Sequence, residues 1–143
     1  MKEISKTLKR VKNHTPQYDI VVLFLLLLMH TLVVKVYRPY VYANCDVEDG
    51  LSFVNNYPSF SAVLVGYLAF KIYSSGDPEV YDIFGARWQY VLLATVVLGN
   101  YLHEGLDMIL GGGDWYDMIA ITLGGVFVLP FIYFKKDKYE RIR

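Results

Sequence analysis

Residues 20–34 read IVVLFLLLLMHTLVV. Only His30 and Thr31 interrupt the run, and neither repeats at a helical spacing that would give a polar face. A helix that is apolar all round belongs in a large core or in a bilayer. A content of 55% hydrophobic residues and a positive mean hydropathy are high for a soluble domain of 143 residues. The stretch therefore predicts a membrane span over residues 18–37.

Three further apolar stretches follow, at residues 57–73, 88–110 and 115–134. Each approaches the roughly 20 residues that a helix needs to cross a bilayer. Tyr or Trp stands at most of their ends, as expected for side chains with one apolar and one wet part. The predicted fold is all-α: a polytopic bundle of four transmembrane helices over residues 18–134, in a cell membrane. The competing fold is a soluble bundle with unusually apolar helices, disfavoured because the first and last stretches lack a polar face.

Charge sets the orientation. Residues 1–17 carry Lys2, Lys6, Lys9, Arg10 and Lys12 against Glu3. Residues 135–143 carry Lys135, Lys136, Lys138, Arg141 and Arg143 against Asp137 and Glu140. Basic flanks stay cytoplasmic, so both tails are predicted inside, which requires an even number of crossings. The basic leader and the apolar run imitate a secretory signal, but LVVKVYRPY offers no small-residue cleavage site, so the first helix is expected to be retained. The outer loop, residues 38–56, holds Asp46, Glu48 and Asp49 with Arg38. The inner loop carries the turn signal SSGDP. A net charge of zero gives no bulk attraction for nucleic acid, and the basic tails are explained by topology and anionic headgroups. The single cysteine, Cys45, can form neither an internal disulfide nor a thiolate cage. It reads as a loop residue, with an intermolecular bridge as the other option.

The chemistry concentrates in HEGLDMILGGGDWYD, residues 103–117. Asn100, His103, Glu104 and Asp107 recur at three- and four-residue spacing and share one helix face. The glycines at 111–113 form a short turn. Asp114 is then placed to cap the fourth helix, and Asp117 to face back one turn on. All lie toward the outer end of the bundle. An ionisable group in a span usually faces a bundle interior or wet cavity. Glu104, Asp107, Asp114 and Asp117 are candidate metal ligands, and an oxygen-rich set suits Mg²⁺, Ca²⁺ or Mn²⁺. With His103 they form a candidate site for a divalent cation or an amine-bearing ligand, with a proton carrier as a further option. Lys35 and Arg38 are the candidates to balance their charge. The plainer alternative is that Asp114 only caps, His103 only pairs with Asp107, and the rest is solvated among headgroups. No other cofactor is called for.

Smaller features complete the expectations. His30 packs in the bundle, Lys71 snorkels to the inner surface, and Gly66, Gly99, Gly124 and Gly125 permit close helix approach. Pro58 stands in the first turn of the second helix, and Pro130 bends the fourth.

Residues 104–125 resemble the VanZ-like family of small bacterial membrane proteins. That family commonly shows an acidic residue, Gln three later, a glycine-containing turn, then Asp-x-x-Asp and Ala-Asn-Thr-Leu-Gly. Here stand Glu104, Asp107 in place of Gln, glycines 111–113, Asp114-Trp115-Tyr116-Asp117 and Ala120-Ile121-Thr122-Leu123-Gly124. Ile121 replaces the amide, and the basic residue often found in the turn is absent. The resemblance implies a cell-envelope membrane protein, its founding member being associated with teicoplanin resistance, and marks Glu104, Asp114 and Asp117 as characteristic polar positions. It implies no mechanism, and a non-enzymatic role is expected. The alternative class is a membrane subunit whose acidic face pairs with a partner protein or a second copy. A third option is a degenerate lipid-phosphate phosphatase. Arg38-Pro39, Pro58-Ser59 and His103 with Asp107 echo the phosphatidic-acid-phosphatase type 2 order, but Phe60-Ser61 stands where Gly-His is expected and the Ser-Arg pair before His103 is missing.

Overall fold

The computed structural model describes residues 17–45, 53–74, 83–112 and 114–140, without the side chains of 86 and 134–140. Every regular element among them is helical. Helix α1 runs Gln17–Asn44, α2 Phe53–Ser74, α3 Trp88–Ile109 after a 3₁₀ turn at Gly85–Arg87, and α4 Trp115–Glu140. Residues 1–16 of the basic leader, Asp46, Glu48 and Asp49, the SSGDP turn after Ser74 and Gly113 lie outside the described residues.

Helix α2 is the hub. It packs against the other three, α3 and α4 also pack on each other, and α1 packs chiefly on α2. The core is built from Val63, Leu64 and Tyr67 of α2, Leu93 and Val96 of α3, and Ile121, Val128 and Ile132 of α4. Only Leu26 of α1 reaches its edge.

Small residues set the closest approach. Helices α2 and α4 run parallel, and a Cβ on Gly124 would stand 2.8 Å from the Phe60 carbonyl oxygen and 3.1 Å from Val63 Cβ. One residue on, and about 100° around the helix, a Cβ on Gly125 would stand 3.0 Å from Val97 of α3. Gly66 similarly faces Val96 at 3.2 Å. Gly99 departs from the expectation: a Cβ there meets nothing within 4 Å, so its face of α3 carries no close crossing.

Helix α1 extends past the expected end at 37 by means of a local change of helix type. Residues Val33–Tyr37 form a π turn, closed by the Arg38 N–H on the Val33 carbonyl. The cause is Pro39, which has no N–H for the Lys35 carbonyl and whose ring would press on it. Widening the turn by one residue relieves the clash and lets Arg38–Asn44 continue as α-helix. Beyond the π turn, the Tyr42 hydroxyl donates to Asn55 Oδ1 of α2, and Arg38 Nε donates to the Tyr42 hydroxyl at 3.2 Å. Helix α2 likewise starts earlier than expected. Pro58 lies inside it and not in its first turn, leaving the Val54 carbonyl without its usual donor. Pro130 lies inside α4, which runs on to Glu140.

Among the described residues, two helices are long and apolar enough to cross a membrane: Gln17–Asn44, of mean hydropathy 2.4, and Trp115–Tyr133, of mean hydropathy 1.7. Between them, α2 and α3 carry more polar side chains. Some of these tie the bundle together. The Tyr67 hydroxyl donates to Gln89 Oε1 at 3.1 Å, both residues being buried. His30 Nδ1 lies 2.7 Å from Ser61 Oγ, which itself donates to the Pro58 carbonyl at 3.0 Å. The imidazole also stacks against Tyr57, so His30 packs between helices as expected.

Lys71 does not snorkel. Its ammonium lies 2.7 Å from Asp19 Oδ2, and both side chains are almost fully buried. The first turn of α1 is thereby tied to the last turns of α2.

Candidate functional site

The candidate site sits at the end of the bundle where α3 closes and α4 opens. Helix α3 ends at a left-handed glycine, Gly111, with φ of 86°. Its N–H reaches the Met108 carbonyl, and the Gly112 N–H reaches the Asp107 carbonyl at 2.8 Å. This paired closure is the Schellman arrangement, which satisfies carbonyls that a helix end otherwise leaves open. It also fixes the last turn of α3, on which Asp107 stands.

Helix α4 opens on Asp114. One carboxylate oxygen accepts the N–H groups of Tyr116 and Asp117, at 2.8 and 3.0 Å. Asp114 is therefore an N-cap, as its position suggested. Asp114→Ala is expected to cost about 1 kcal/mol of stability and, by removing one of the charges that act on Glu104, to weaken cation binding less than loss of Glu104 itself. Paired unfolding and binding measurements on the one variant check this.

His103, Glu104 and Asp107 come together. One ligand atom from each lies within 4.8 Å of the others. His103 Nδ1 is 3.8 Å from Glu104 Oε1 and 3.7 Å from Asp107 Oδ2. The three differ in exposure: the His103 side chain is 72% exposed, Asp107 46% and Glu104 15%. Glu104 thus forms the inner wall of the cluster and the other two its rim. Asp117, Asp107 and Asp114 are all close enough to Glu104 to repel its charge, and His103 close enough to attract it. Asn100 leaves the expected stripe, because its amide turns back to donate to the Val96 carbonyl.

Asp117 faces inward from α4 but is held by α2. Ser59 Oγ donates to Asp117 Oδ1 at 2.5 Å. No local pattern signals this bond: Ser59 follows a proline of the kind that opens helices, whereas α2 begins at Phe53. The bond links α2 and α4 through one half-buried carboxylate, whose charge also repels that of Glu104 on α3.

Lys35 and Arg38 are not brought to this cluster. Lys35 is exposed on the π turn. Arg38 lies over the Tyr42 ring, 5.5 Å from its centroid. The reason is topological: both stand on α1, which packs chiefly on α2, whereas the carboxylates belong to α3 and α4. Among the described residues no Lys or Arg makes an ion pair with the cluster. The cationic cradle that a transferring phosphoryl group requires is thus not assembled from Lys35 and Arg38.

The chain matches no protein-family model, no curated protein and no solved structure. Chemistry at the site must therefore be read from its own donors. Two carboxylates and one imidazole, partly open to solvent, suit a divalent cation that accepts both oxygen and nitrogen. Mn²⁺ fits that mixture better than Mg²⁺ or Ca²⁺, which favour oxygen throughout.

Proposed function

We propose that the protein is a multi-pass membrane protein whose outward-facing cluster binds a divalent cation, and through it a phosphate-bearing lipid headgroup or envelope precursor. The observation that carries this is the convergence of His103, Glu104 and Asp107 within one ligand sphere, with Asp117 held beside them by Ser59. A set of carboxylates this close, lacking a Lys or Arg ion pair among the described residues, gains from a bound cation what it loses to mutual repulsion.

Two features support the membrane setting. Only 6% of the most apolar window of α1 is buried against the rest of the chain. Val21, Phe24, Leu25, Leu28 and Leu32 are among the large side chains it leaves exposed. An apolar stripe of that extent needs an apolar surround. The polar ties of α2 and α3 point between helices, which is where a span accommodates such groups. Both basic tails inside would place the cluster outside. A VanZ-like identity is a proposal on the residues between Glu104 and Gly124 alone, and it agrees with an envelope role.

Mg²⁺, Ca²⁺ and Mn²⁺ should be titrated into the purified protein in detergent, with thermal unfolding as the readout. Stabilisation by about 2.7 kcal/mol is expected when the cation stands a hundredfold above its Kd. Mn²⁺ is expected to act at the lowest concentration. Glu104→Gln/Asp117→Asn should remove the effect. No shift with any cation would remove the cation site and favour a partner subunit, whose stoichiometric co-purification then becomes the finding to seek.

A further inference from the structure

Lys35 and Arg38, which the acidic cluster leaves unused, stand beside a groove on the C-terminal half of α1. The groove has a volume of about 300 Å³ and is lined by Met29, Leu32, Val33, Val36, Tyr37 and Tyr40. All of these but Val33 are large side chains left exposed by the bundle. The π turn Val33–Tyr37 runs through its middle. The extra residue in that turn offsets the side chains after it from those before it, which breaks the even row of an α-helix surface. From Tyr40 to Met29 the groove descends about 16 Å toward the middle of the span, at ~1.5 Å per residue. Lys35 belongs to the same π turn and is exposed, and Arg38 closes the turn. Among the described residues neither makes an ion pair. Arg38 donates through Nε to the Tyr42 hydroxyl, which is itself anchored on Asn55 of α2. The guanidinium is thereby held in place, with its two terminal amino groups left to an outside acceptor.

We infer that this groove seats one acyl chain of an anionic phospholipid, whose phosphate meets Lys35 and Arg38. The inference goes beyond the cation site and shares with it only the membrane setting. Charge complementarity selects the occupant. Both charges beside the groove are positive, and no described residue neutralises either. A phosphodiester with no other charged group satisfies both, and a guanidinium matches its oxygens with parallel N–H donors. Lys35 stands lower on the helix than Tyr40, and its four-carbon stem can carry the ammonium up to the headgroup level. An ammonium in the same headgroup would be pushed against two cations, so a zwitterionic lipid gains less. A second copy of the chain fits worse for the same reason. Two copies inserted in one orientation and meeting on this face through a two-fold contact bring Lys35 and Arg38 to the depth of their own counterparts. Tyr37 and Tyr40, at the upper end, are the side chains that favour the boundary between acyl chains and headgroups.

Native mass spectrometry of the detergent-purified full chain tests this, with added phosphatidylglycerol and phosphatidylcholine as probes. The basic tails also attract anionic headgroups, so the comparison that decides is between variants that share those tails. Lys35→Gln should weaken retention of one phosphatidylglycerol by about fivefold, which corresponds to about 1 kcal/mol for one basic residue. It should leave phosphatidylcholine unchanged, and Lys35→Arg should restore wild-type retention. Leu32→Trp fills the groove from an exposed face, where folding is least at risk, and should lower retention of both lipids. An unchanged affinity in Lys35→Gln, an equal fall for both lipids in that variant, no effect of Leu32→Trp, or a second copy of the chain in place of the lipid would each overturn the inference. None of these results touches the cation site, since Lys35→Gln should titrate with Mn²⁺ as the wild type does. A chain that stays monodisperse without detergent would overturn the membrane setting for both sites.

Discussion

Lys71→Met should destabilise the protein by about 3–5 kcal/mol, the usual cost of leaving one partner of a buried ion pair alone. The Asp19 carboxylate would remain almost fully buried between α1 and α2 with its 2.7 Å partner gone. Its escape routes are protonation or a shift of the first turn of α1 toward water, and either loosens the only helix that packs chiefly on one neighbour. The replacement is close in length, so little of the loss comes from packing. Asp19→Leu/Lys71→Met should return most of the stability, because buried pairs replaced by apolar residues of similar volume are often neutral or better. Denaturant unfolding in a fixed micelle, followed by the fluorescence of Trp88 and Trp115, would measure both. A single variant as stable as the double would mean that the pair is not buried in solution.

Gly124→Ala is the second large effect, at about 1–3 kcal/mol. The added methyl would meet the Phe60 carbonyl oxygen at 2.8 Å. The obstacle is backbone, so no rotamer change relieves it, and the parallel helices α2 and α4 must separate. That movement would also strain the Ser59–Asp117 bond, so the variant should weaken cation binding as well as stability. Gly99→Ala is the control. A Cβ there meets nothing within 4 Å, and alanine favours a helix interior by about 1 kcal/mol over glycine. It should be neutral or slightly stabilising. Equal effects at the two positions would contradict the close α2–α4 crossing.

The helical architecture was legible because apolar runs and charge clusters alternate along the chain. The ends of α1 and α2 were not, for one reason each. At α1, Pro39 reads as a stop, since a proline disrupts an α-helix; a π turn absorbs it instead. At α2, Pro58 reads as a start for the same cause, and the helix in fact begins at Phe53.

At the outer site the i, i+3, i+4 spacing correctly grouped His103, Glu104 and Asp107, because they ride on one helix. The Asp114 cap was legible from its place after the turn. Contacts between elements distant in sequence were harder. Ser59 with Asp117 requires that α2 and α4 be neighbours, and local pattern does not say which pairs of four helices touch. Asp19 stands between Tyr18 and Ile20 at the head of an apolar run, with no local pattern to single it out. A signal was present: one acid at the start of the first helix and one lysine near the end of the second stand at equal depth once the two run antiparallel. Lys35 and Arg38, the candidates to balance the acidic cluster, make no ion pair with it, because both stand on α1, which packs chiefly on α2.

Cys45 offers the most direct test of the orientation on which the outward cation site depends. It is the single cysteine of the chain, it is exposed, and it caps α1 at the end where α3 and α4 meet. A membrane-impermeant maleimide applied to intact cells should label Cys45 fully, while a cysteine placed at Lys6 in a Cys45→Ser background should react only after permeabilisation. Labelling of Cys45 only after permeabilisation, or of both positions from one side under every condition, would contradict the four-crossing topology and the outward placement of Glu104 and its neighbours.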